Sequence, residues 1–82
     1  MKKRRMKVTQ ISRTALLFLV NYDRERFDVD PLTERQQDKI WQRAQKHAPA
    51  ATETTVCLAL TPSEIAILNR EGYKTKAKYI TF

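Results

Sequence analysis

Covalent chemistry has little to work with in these 82 residues. A thiol or hydroxyl nucleophile needs an oriented base beside it, and the chain holds one cysteine, Cys57, and one histidine, His47. Cys57 lies inside an apolar run, where a thiol behaves as a small, inert hydrophobe. His47 flanks the apolar side of a helical segment and reads as a packing residue. The acids Asp23, Glu25, Asp28 and Asp30 could offer oxygens to a divalent cation. They lack the glycine turn and closing glutamate of a calcium loop, and Arg24 and Arg26 interleave them, so they read as a solvated loop. The only glycine, Gly72, leaves no glycine-rich cradle for a nucleotide phosphate. The expectation is a protein that is not an enzyme, with no catalytic residue, no metal site and no cofactor.

Charge is the remaining chemistry. Lys and Arg number 16 against 9 Asp and Glu, a formal net charge of +7 that favours nucleic acid, an acidic protein or an anionic surface as partner. Lys2, Lys3, Arg4 and Arg5 form a basic stretch of the kind that folds onto nucleic acid or an acidic partner, although such tails as often make no specific contact. Arg35, Lys39, Arg43 and Lys46 recur at helical spacing along one ridge opposite an apolar face. A solvated helix face uses the same spacing for solubility, and Glu34 and Asp38 stand close by. Lys74, Lys76 and Lys78 alternate along a strand and share their side with Ile80 and Phe82. Edge strands carry lysines to discourage pairing with other chains. That accounts for the row, but with its two apolar neighbours it also resembles a mixed basic and apolar contact surface.

These groups need elements to hold them. Ala15 to Val20 is a continuous apolar run, which predicts a central strand buried on both faces, a short buried helix being the alternative. Thr33 and Gln36 have the spacing of a capping box, which opens a helix that runs to about residue 47. Ile40, Trp41, Ala44 and Ala48 fall on one face of it, and Ala48-Pro49 marks its stop. Thr55 to Leu60 predicts a second strand. Thr61-Pro62-Ser63-Glu64 sets a cap, a proline for the first helical position and a capping-box glutamate in order. Gly72 followed by Tyr73 fits a Schellman stop in which Tyr73 meets Leu68. From Tyr73 the period becomes two, which predicts an edge strand.

The expected order is therefore β-α-β-α-β: a small α+β (mixed α/β) domain with two helices packed on a three- or four-stranded sheet, the optional strand being Met6 to Ile11. Residues 1–7 are expected to be a basic flexible tail and 8–82 a single domain. With both helices on one face, the helix ridge and the lysine row would lie on opposite sides. A strand apolar on both faces would also leave one face bare, which points to a homodimer or a docked partner. The apolar run is too short to span a bilayer and lacks the flanks of a signal peptide, so no membrane partner is expected. A lone cysteine suits the reducing cytoplasm. The leading functional expectation is a non-catalytic protein that binds nucleic acid or a ribonucleoprotein through the three basic groups. The alternative is an adaptor or inhibitor that docks an acidic protein through an apolar sheet face or a sheet edge.

Overall fold

The computed structural model describes residues 5–48 and 50–81. The elements in chain order are β1 (Arg5–Ser12), α1 (Arg13–Arg26), α2 (Glu34–His47), β2 (Thr55–Leu58), α3 (Pro62–Arg70) and β3 (Lys76–Thr81). They make an α+β fold of three helices and a three-stranded antiparallel sheet. None of the described helices is long and apolar enough to cross a membrane.

The order is β-α-α-β-α-β, and it departs from the expected one at its start. Ala15 to Val20, expected as a strand, is the middle of α1. In that run only Val20 is β-branched, whereas alanine and leucine are strong helix formers. No glycine or proline interrupts the chain from Ser12 to Asp30. Ser12 caps the helix, its hydroxyl accepting the Ala15 amide at 3.3 Å. The helix is apolar around most of its first turns because it is central, touching β1, α2 and α3. With this run helical, the argument for a second copy over a bare strand face falls away.

Met6 to Ile11 is a strand, and it is the middle one of a sheet ordered β2-β1-β3. It begins at Arg5, so Arg5, Met6 and Lys7 belong to the sheet rather than to a tail, held there by pairing with β3. Lys2, Lys3 and Arg4 lie outside the described residues. Both outer strands run antiparallel to β1 and hence parallel to each other. With α3 joining them and β1 inserted between, they form a split β-α-β arrangement.

The helix signals are realised in hydrogen bonds. At α2 the Thr33 hydroxyl accepts the Gln36 amide at 3.2 Å and the Gln36 side chain accepts the Thr33 amide at 3.0 Å. At α3 the Thr61 hydroxyl accepts the Glu64 amide at 3.2 Å and the Glu64 carboxylate accepts the Thr61 amide at 2.9 Å. Gly72 takes φ +86° after α3 and donates to the Asn69 carbonyl at 3.1 Å, while Tyr73 donates to the Leu68 carbonyl at 2.9 Å. These are the paired bonds of a Schellman stop. The core gathers Ile11, Ala15, Leu16, Leu19, Trp41, Val56 and Leu68, with the tilted rings of Tyr73 and Phe18 in contact at its margin, centroids 5.1 Å apart.

Candidate functional site

Pairing register decides which cations meet, because opposed residues in an antiparallel pair project to the same face. Arg5, Lys7, Thr9 and Ile11 share one face with Val56 and Leu58 of β2 and with Ala77, Tyr79 and Thr81 of β3. Met6, Val8 and Gln10 share the other with Cys57, Lys76, Lys78 and Ile80.

Burial then divides the sheet along its length. Around the β1–β2 pairing both faces are covered: Val8 and Cys57 are 1% exposed on one, and Thr9, Ile11 and Val56 no more than 4% on the other. Past the end of β2, the stretch Arg5–Val8 has β3 as its only described neighbour in the sheet. There β1 and β3 form a two-stranded ribbon, from the Arg5–Thr81 pair to the Val8–Lys78 pair. On one ribbon face Arg5, Lys7, Ala77, Tyr79 and Thr81 are all exposed. Tyr79 is 59% exposed and faces Lys7 directly across the strands. The Arg5 guanidinium lies over its ring, 4.8 Å from the centroid. On the opposite face Lys76 is exposed beside Gln10, while Lys78 and Ile80 are half-buried.

The expected contact residues are thus partly gathered. Arg5 and Lys78 both fall on the ribbon but on opposite faces, and Lys76 lies just past its inner end beside Gln10. Lys74 precedes β3, and with Lys76 it rims a hollow of about 840 Å³ shared with Ser12, Thr55 and Asn69. Phe82 lies outside the described residues, as do Lys2, Lys3 and Arg4. Arg35, Lys39, Arg43 and Lys46 are placed along α2. Arg43 and His47 open onto an apolar groove of about 590 Å³ that Met6, Val8, Leu16 and Ile40 also line. Met6 and Val8 belong to the face that carries Lys78, so α2 stands on the lysine side of the sheet, not opposite it. Lys7 and Tyr79 are not among the expected contacts. The alternation of β3 puts Tyr79 on the side away from its lysines, and only the pairing with β1 brings cations to that side.

Among the described residues the only ion pair joins Arg13 to Asp38, between α1 and α2. The ribbon cations are therefore paired with no described acid. Cys57 is buried with its thiol 3.8 Å from the Ala50 carbonyl, and His47 lies in the last turn of α2. No three His, Cys, Asp or Glu side chains among the described residues are placed to hold a metal ion together. In the acidic loop, the Arg24 guanidinium donates to the Asp30 carbonyl at 2.7 Å and Asp28 takes φ +54°. No protein-family model, curated protein or solved structure matches the chain.

Proposed function

We propose that this is a non-catalytic, cytoplasmic nucleic-acid-binding protein, acting on nucleic acid directly or within a ribonucleoprotein, with the β1–β3 ribbon as its principal contact. The reading is carried by the β1–β3 pairing, which sets Arg5 and Lys7 on one face of the ribbon and Lys78 on the other, with Lys76 next along β3 beside Gln10. Phosphates bound there would release their condensed counterions, the main source of affinity in such complexes. Lys74 extends the row, and Lys2, Lys3 and Arg4 add charge next to Arg5 in sequence. Arg35, Lys39, Arg43 and Lys46 act as a secondary surface, with Arg43 lining the groove that Met6 and Val8 share. The lone buried Cys57 suits a reducing compartment.

Charge reversal tests the reading. Lys7, Lys74 and Lys76 project from the surface, so their replacement by Glu leaves the fold intact. It should weaken binding to an oligonucleotide and flatten the slope of log affinity against log salt by about 0.7–0.9 for each phosphate no longer neutralised. The same reversal at Arg35, Lys39 and Arg43 should do less. A parent protein that binds neither DNA nor RNA at low salt would overturn the proposal.

A second reading rests on a separate feature. Among the described residues no strand pairs with the outer edge of β3, and the edge of β1 beyond β2 borders the apolar groove. An extended acidic segment of another protein could add there as a strand. Salt-tolerant binding of one protein, without nucleic acid, would favour that reading.

A further inference from the structure

Tyr79 is the feature that charge alone does not explain. A tyrosine ring left 59% exposed in mid-strand gains little from burial, and β3 needs no aromatic there to pair with β1. Its surroundings are equally specific. Lys7 stands directly across from it, Arg5 lies over its ring, and Ala77 and Thr81 are the short side chains two residues away along β3. Arg5 covers one side of the ring and Lys7 borders it, while the small residues leave the rest of the exposed ring open.

We propose that this face of the ribbon binds single-stranded nucleic acid by stacking a base on Tyr79, with Lys7 and Arg5 holding the flanking phosphates. The inference rests on the nucleic-acid reading above and names the substrate class. Its physical basis is what each form of nucleic acid can offer such a surface. In a duplex every base is already stacked between its neighbours, so even where a β-ribbon reaches base edges in a groove the π-faces are closed and an exposed ring has no stacking partner. A single strand presents unstacked bases together with phosphates, and every base has a π-face, so an aromatic between cations binds it with little sequence preference. Arg5 adds a planar cation that stacks as well as neutralises. Val8 and Thr9 are buried, which confines the accessible surface to the ribbon tip and the contact to a few nucleotides.

The test compares a fluorescent oligodeoxythymidylate with the same strand annealed to its complement, at matched salt, for the parent and for Tyr79→Ala, Tyr79→Thr and Tyr79→Phe. Threonine is included because its β-branched side chain keeps strand propensity, so a weakening shared by Ala and Thr reports the missing ring. The parent should bind the single strand more tightly than the duplex. Ala and Thr should weaken single-strand binding by about tenfold or more while leaving duplex binding unchanged, and Phe should keep the parent affinity because stacking uses the ring and not the hydroxyl. Equal parent affinity for both probes, or an unchanged single-strand affinity in Tyr79→Ala, overturns the stacking inference and leaves the electrostatic reading standing. Absence of binding to either probe, and to the matching oligouridylate, removes both.

Discussion

Strand β1 passes from a ribbon end, where Arg5 and Lys7 face water beside an exposed Tyr79, to a helical end, where Ile11 is buried in one cluster with Val56, Ala15 and Leu68. The same strand thus serves two surroundings. At the helical end both faces of the sheet are covered, and removal of apolar area from water supplies the driving force for folding. At the ribbon end the Tyr79 face is open and, of the other face, only Val8 is buried, so two strands held mainly by backbone hydrogen bonds are marginal by themselves. Stability and the proposed binding therefore draw on different residues. Substitutions at the tip should alter binding at little cost to the fold, and substitutions in the cluster should do the reverse.

The sharpest way to break this division is Leu68→Ala. Leu68 is 0% exposed, and truncating a fully buried leucine costs about 2–5 kcal/mol. That is a large share of the roughly 4–12 kcal/mol expected for a chain of this size. The urea midpoint should fall steeply, and a shift worth less than about 1 kcal/mol would show that the cluster is not where stability resides. Amide exchange resolves the same contrast along β1 itself. Amides of Thr9–Ser12 that bond to β2 should exchange only on global unfolding, whereas those of Arg5–Val8 should open locally and exchange about tenfold faster or more. Uniform protection along the strand would erase the distinction.

Smaller effects sharpen it further. Thr61→Ala removes the hydroxyl that caps α3, the helix that carries Leu68, and should cost about 1 kcal/mol in thermal or denaturant unfolding. An unchanged midpoint would mean that the cap contributes nothing. Arg5→Ala at the tip should change stability by only about 0.5–1 kcal/mol, the worth of an exposed cation on a ring. It should nevertheless lower the salt slope of oligonucleotide binding by about 0.7. A drop of several kcal/mol on unfolding would make the tip structural instead.

Helix ends are the most legible part of the chain, because caps are local. Thr33 with Gln36, Thr61 with Glu64, and Gly72 with Tyr73 each act within a few residues, and each forms the bonds its spacing announces. Ala15 to Val20 points to the wrong element because a short apolar run has the same pattern in a buried strand and a central helix. The Ser12 cap and the scarcity of β-branched residues are the signs that favour the helix. The cation groups are visible as groups, but their meeting is not. Lys7 faces Tyr79 only because β1 pairs with β3 across most of the chain, and long-range register leaves no mark in local spacing.

That same pairing has a kinetic consequence. The sheet's central strand comes early in the chain and its longest partner comes late, so the ribbon must close one of the longest loops in the molecule. As the chain emerges during synthesis, Met6 and Val8 wait with an open backbone edge until Lys76–Thr81 has been made. An unpaired, partly apolar strand in that interval invites pairing with another nascent chain. Arg5 and Lys7, alternating with Met6 and Val8, are placed to repel such neighbours, so the cations that would later grip a polyanion first act as gatekeepers against aggregation.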